Sequence, residues 1–147
     1  MGLGDIKSPE YKLVFIAKGA GTLAAGDVVS FDSNGLVIPA TATTFGKSGV
    51  LTALTHVVGT TTYYGVLVMG MIVCKAGGAI KPNKSVVADA NADVIAFADV
   101  YTATYVQGEH DNTLRRLGRY VRLESDNQYA ASDAANTNLV IISVGEK

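Results

Sequence analysis

Apolar positions in this chain recur in short runs broken by glycine, asparagine and aspartate, and almost nowhere at the spacing of an amphipathic helix. Short runs rich in Val, Ile, Thr and Tyr, bounded by turn formers, are the mark of strands joined by tight turns. On that pattern Tyr11 to Ala17 opens the core, Val28-Val29-Ser30-Phe31 and Leu36-Val37-Ile38 flank a turn, and Gly49 to Val58 forms a further strand. Thr60 to Lys75 predicts one long bent strand or two strands meeting at a corner. Gly65 and Gly70 interrupt its β-branched and aromatic run, and glycine inside a strand marks a bulge or bend. After Val106 the chain turns polar (QGEHDNTLRR), resumes as a strand at Gly118 to Leu123, and closes with Leu139 to Val144. A short helix is expected only within Asn127 to Ala135 or Thr113 to Leu117. The predicted fold is mainly β: a small antiparallel β-barrel or sandwich with at most one short helix.

The turns sharpen this reading. Asn34-Gly35 between two apolar runs predicts a two-residue hairpin, because that pair accepts the positive φ that matches strand twist. The stretch Phe15 to Ile38 aligns without a gap on Ile72 to Ile95 at an offset of 57 residues, as in Lys18/Lys75. Further identities are Gly21/Gly78, Val29/Val86, Asp32/Asp89, Asn34/Asn91, Val37/Val94 and Ile38/Ile95. Duplication of a supersecondary unit accounts for this, and so do two hairpins built under the same turn chemistry. In the second copy Asn91-Ala92 replaces Asn-Gly, and a looser loop is expected there.

Composition narrows the functional classes. The 147 residues carry 48% hydrophobic and 17% charged side chains with a net charge of -1. That is no nucleic-acid footprint, which requires a clustered basic face. The densest basic run, Arg115, Arg116, Arg119 and Arg122, is interleaved with Leu114, Leu117 and Tyr120 and reads as the decoration of one local element. The single cysteine, Cys74, lies in an apolar strand, where a small buried thiol is the default. No apolar run approaches the roughly 20 residues of a spanning helix, and MGLGDIKSPEYK lacks the order of a secretory signal. The expectation is a soluble chain, without a membrane partner, made in a reducing cytoplasm. Residues 1–10, with two glycines, a proline and mixed charge, predict a flexible N-terminal arm ahead of a single domain spanning 11–147.

Motifs for chemistry fail on spacing. Gly46-Lys47-Ser48 lacks the glycine that a phosphate loop needs at position 41, which holds Thr41. Gly19-Ala20-Gly21 is followed by a turn and a strand where a dinucleotide site needs a helix. Asp89-Ala90-Asn91-Ala92-Asp93 begins like a calcium loop, but Val94 and Val100 stand where glycine and glutamate are required. His56 and His110 are far apart, and Glu109-His110-Asp111 alternate in direction along an extended chain. No catalytic, metal or cofactor residue is assigned, and the chain is not expected to be an enzyme.

The run Gly21-Thr22-Leu23-Ala24-Ala25-Gly26-Asp27-Val28-Val29-Ser30-Phe31-Asp32-Ser33-Asn34-Gly35-Leu36-Val37-Ile38-Pro39-Ala40 resembles tailed-phage capsid decoration (cement) proteins. The order that follows is also similar: Gly49-Val50-Leu51 opens a strand and Thr62-Tyr63-Tyr64 leads into a glycine-interrupted one. The likeness covers residues 11 to 97. It implies a small β-rich body, usually a homotrimer, bound outside an icosahedral head, with the major capsid protein as partner and the virion exterior as location. Because an amino-terminal arm commonly orders against the shell in such proteins, it also implies capsid-binding roles for Gly2, Leu3, Gly4, Asp5, Ile6, Lys7 and Tyr11. A second resemblance is to biotinyl and lipoyl carrier domains, carried by Val68-Met69-Gly70-Met71 and Val73 to Pro82. Carriers present a modified lysine at a hairpin tip, and here Gly70 lies between the methionines and the tip reads Asp89 to Asp93.

Overall fold

Nine antiparallel strands form one continuous, strongly curled sheet in the computed structural model, which describes residues 2–41, 48–97, 116–127 and 130–145. They are β1 (Lys12–Ala17), β2 (Val28–Phe31), β3 (Val37–Pro39), β4 (Ser48–Val58), β5 (Thr61–Lys75), β6 (Ser85–Ala88), β7 (Val94–Ala96), β8 (Gly118–Leu123) and β9 (Leu139–Val144). The mainly-β, barrel-like class is as expected, and no helix occurs among the described residues. The part of 127–135 that is described is drawn into the sheet system instead. Ala134 and Ile80 exchange backbone hydrogen bonds at 2.8 and 3.1 Å, and the Asp126 carboxylate accepts both the N–H and the hydroxyl of Ser132 at 2.9 Å.

β5 is the long bent strand predicted from the sequence. Its leading part, 61–69, lies between β1 and β4, and 70–75 pairs with β9. The change of partner falls at Gly70, whose φ of 127° suits glycine and whose missing Cβ leaves room for Tyr11 and Ser8.

The near-repeat is architectural. One half of the sheet runs β1, β5 (61–69), β4, β2, β3, and the other runs β5 (70–75), β9, β8, β6, β7. Each half turns back on itself through one parallel bridge, Lys18 with Val37 and Ala76 with Val94. The turns match bond for bond. In both, the aspartate carboxylate accepts two backbone N–H groups, at 2.8 and 3.0 Å, from Asn34 and Leu36 in one half and from Asn91 and Asp93 in the other. Gly26 and Asn83, both at positive φ, donate to the Leu51 and Tyr120 carbonyls. The gap-free alignment is one residue out over its first strand. The bridges make Lys18 the counterpart of Ala76, and Gly19 and Gly77 donate equivalent bonds to Val37 and Val94 while each lies against an Asp carboxylate and an Ile methyl. One residue fewer in the second copy, between Gly77 and Lys81, restores the offset.

Two turn expectations are corrected. Asn34-Gly35 is not a two-residue turn, because only Gly35 has positive φ. Asp32 accepts from Gly35 and donates to Leu36, enclosing a three-residue loop whose last member is left-handed. The second loop is no looser. Ala92 takes φ 62° in the same place, and the Asp89 bonds hold it there.

The halves stack unequally. The concave face of the second half (Ile72, Cys74, Val86, Val94, Tyr120, Ile142) is covered by Val28, Val50 and Leu67 on the convex face of the first, forming the main core. The repeat partners of those three, Ser85, Arg119 and Ser143, are polar. The concave face of the first half holds a smaller cluster, Val29, Val37, Leu51 and Val66.

Candidate interaction surfaces

The amino-terminal segment is not the free arm its composition predicts. Gly4 N–H donates to the Val73 carbonyl at 2.9 Å, Val73 N–H to Asp5 at 3.0 Å and Lys7 N–H to Met71 at 2.8 Å, so residues 4–7 add a short strand to the edge of β5. Ser8 Oγ accepts from Met71 N–H at 3.0 Å. Ile6, opposite Ile72, packs on the main core, and Lys7 reaches Glu124 at 3.7 Å. An edge with unpaired N–H and C=O groups recruits any extended segment in reach, whatever its propensity. Of the residues the phage likeness implicated, Gly4, Asp5, Ile6 and Lys7 are engaged within the chain. Gly2 N–H donates to the Asp5 carboxylate at 2.8 Å, Leu3 lies beside Gly26, and Tyr11 is half exposed.

The exposed apolar surface lies elsewhere. Beyond Thr52 and Gly65, which are buried, the β4–β5 hairpin leaves the body of the fold, and every residue from Ala53 to Thr61 is exposed. Leu54, Val57 and Val58 are 47%, 59% and 56% exposed. Phe15 meets His56 edge to face at 6.4 Å on the same projection, with Met69 and Tyr11 exposed nearby along β1 and β5. No Asp, Glu, Lys or Arg occurs from Ser48 to Cys74. The outer edge of β4 pairs with β2 only as far as Val50, and among the described residues nothing pairs with it past Leu51. Natural edge strands are usually guarded by charge, proline or a bulge; here a bulge between Leu51 and Thr55 interrupts β4, but the apolar edge beyond it carries no charge or proline, and such a surface marks a contact. The alternation of Leu, Thr, His and Val carried this signal in the sequence, but nothing there showed that the hairpin projects.

A cavity of about 610 Å3 opens on the concave face of the first half, lined by Lys12, Val14, Ile16, Phe31, Gly35 and Arg116 among others. Arg116 lies over the Phe97 ring at 4.4 Å, and its buried Nε has no hydrogen-bond partner. Of the basic run, Arg119 reaches the Asn83 carbonyl at 2.9 Å, so these residues decorate β8 and its approach.

Titratable groups gather where the halves meet. Burial raises the Asp27 carboxyl above its ordinary value against the hydrogen bond from Ala24 N–H, and the Asp93 charge raises it further. Burial also raises Asp93, outweighing Lys75 at 3.4 Å. Cys74, fully buried between them, has its thiol pushed far up by burial and by both carboxylates, so it packs as a small apolar side chain. Burial pushes the Tyr120 phenol up to about 12, and its hydroxyl donates to the Ser132 carbonyl at 2.5 Å. No three His, Cys, Asp or Glu side chains converge among the described residues, and Glu109, His110, Asp111, Lys47 and Arg115 lie outside them. No family model, curated protein or solved structure matches the chain.

Proposed function

We propose that this chain is a structural protein that self-associates, as a homotrimer, and binds the outer surface of an icosahedral capsid as a decoration protein. The observation that carries the self-association is the projecting, uncharged β4–β5 hairpin, with Leu54, Val57 and Val58 about half exposed or more and a strand edge unpaired among the described residues. Such a surface costs solubility in an isolated chain and gains only when another chain covers it. The capsid as partner rests on the likeness of residues 21–40 to decoration proteins. A trimer touching a symmetric shell through several weak contacts gains affinity by linkage, without any reactive site. The carrier alternative is disfavoured by the second hairpin: Val28 N–H donates to the Ala92 carbonyl at 2.8 Å, so that tip is packed against β2 and offers no lysine.

Light scattering after size-exclusion chromatography tests the first step. A trimer is expected at micromolar concentration, dispersed by Val57→Asp with Val58→Asp. A monomer at high micromolar concentration would sink the reading. Electron microscopy of phage heads with and without the chain tests the second, through density on the outer surface that depends on it.

A further inference from the structure

The two halves share one architecture, yet among the described residues only the second has its outermost strand edge paired. In the second half, residues 4–7 pair with the β5 edge at Met71 and Val73, Ile6 packs on the core beside Ile72, and Val28 N–H caps the turn carbonyl of Ala92. The equivalents in the first half are Leu13, Phe15, Val14 and Gly35. Phe15 is paired with Gly65 as Val73 is with Ile141, so its N–H and C=O point away from β5, toward the cavity's rim. Among the described residues nothing bonds to that outer edge of β1 at positions 13 to 15, and the 610 Å3 cavity lies alongside with Val14 and Ile16 in its wall. Lys12 and Arg116 line it as well, and no acidic residue does.

We infer that the outer edge of β1 and this cavity form a strand-addition site for an extended segment of another protein, with an aliphatic residue opposite Val14 and a carboxylate two residues later. Antiparallel addition, as residues 4–7 make on β5, places the aliphatic side chain in the cavity and the carboxylate beside Lys12, within the reach of Arg116. Main-chain bonds to Phe15 and Leu13 supply affinity, and the alternate side chains supply choice. The chain's own amino-terminal segment does not meet that description, because Ser8 stands two residues after Ile6. The site adjoins the β4–β5 hairpin at Phe15 but uses the main chain of that residue and not its ring, and it stands whether or not the partner is a capsid.

The test uses the full chain and the capped peptide Ac-TVTITET-NH2, followed by amide chemical shifts. Shifts at residues 12–16, Phe31 and Gly35 are expected at millimolar peptide. Changing the peptide's glutamate to lysine should weaken binding roughly tenfold, as loss of a charge-assisted bond does. Lys12→Glu with Arg116→Glu, checked for an unchanged melting temperature, should reverse that preference. If those variants unfold, the peptide comparison on the parent chain decides. Absence of shifts at several millimolar peptide, or equal binding of both peptides, would overturn the proposal. So would a Phe15 amide as protected from exchange in the free chain as the Val73 amide, because a segment of this chain or of a second copy would then already hold the edge.

Discussion

Gly35→Ala is the cleanest probe of the turn that both halves share. Gly35 has φ 77°, and a Cβ built there meets nothing within 4 Å, so the substitution is charged only with backbone strain. Left-handed backbone costs an alanine about 1–2 kcal/mol, offset by about 0.4–1 kcal/mol because alanine also restricts the unfolded chain. The net loss is about 1 kcal/mol, or about 2–4 °C in melting temperature for a chain of this length. Gly26, at φ 90°, bears the same strain, but its Cβ would lie 2.8 Å from Leu3 Cβ and 2.9 Å from Leu3 Cδ2. Because Leu3 Cβ is tied to the backbone, the amino-terminal segment itself must shift, and overpacking adds about 1–3 kcal/mol. Ala92→Gly works in reverse: it relieves the strain at φ 62° but removes a buried methyl worth about 0.8 kcal/mol and loosens the unfolded chain, so it comes out near zero. Urea unfolding with a constant slope reads all three. A neutral Gly35→Ala would refute the left-handed turn. Equal losses at Gly35 and Gly26 would refute the docking of residues 2–4 against the body.

Removing residues 1–8 should lower the melting temperature by several degrees, since it strips four hydrogen bonds from the β5 edge and uncovers Ile72, the net of about 1 kcal/mol per bond against the entropy of ordering the segment; unchanged unfolding would show that the segment detaches in solution. The pH profile follows from Asp27 and Asp93, whose folded carboxyls titrate above their unfolded value of 3.8. Their folded state holds more protons, so their contribution is fully present below 3.8 and is lost as pH rises through the folded values. Asp126 has the opposite sign: bonds from Ser132 and Leu123 hold it low, and its contribution is lost only as pH falls below 3.8. Stability should therefore rise on acidification from neutrality toward pH 4 and fall further down. Asp27→Asn, which keeps an oxygen for the Ala24 N–H, should raise the neutral-pH melting temperature and flatten that rise. A pH-independent melting temperature between 4 and 7 in the parent chain would contradict the burial of these carboxyls.

Much of the fold was legible in the sequence, because strands and tight turns leave local marks. β2, β4, β5, β8 and β9 fall within a residue or two of the apolar runs that predicted them, and Gly70 marked the bend. The unread parts share a cause: they depend on partners distant along the chain. Composition alone made residues 2–8 an arm, and only the open β5 edge, sixty-odd residues away, turns them into a strand. Ala92 looked unfit for a left-handed position because propensity was weighed without the two bonds that Asp89 imposes. The exposed hairpin could not be found from apolarity, since Leu54, Val57 and Val58 have the same character as buried Val50 and Leu51. What separates them is that β2 and the Gly26-Asp27 turn stop covering β4 at Leu51.

The repeat explains why the candidate surfaces all lie on the first half. In the second, the connection from β8 to β9 folds back, and Ala134 and Tyr120 close the half-barrel over Ile80. In the first, the equivalent connection is spent on a long hairpin that ends in the tight turn at Gly59 and Thr60, so none of its own residues folds back over the sheet. The second half also receives Val28, Val50 and Leu67 from its neighbour, whereas the first receives nothing comparable from within the described chain. A sheet with two similar outer edges and one internal segment paired to one of them has one edge to offer. Charge follows the same division: Lys12 stands where the second half has Gly70, and Arg116 enters from the segment before β8, so the open site carries two cations and no acidic residue, whereas Lys7 and Lys75 of the second half are each paired with a carboxylate. Charge reversal at Lys12 and Arg116 should therefore leave folding intact and change only what the open face accepts.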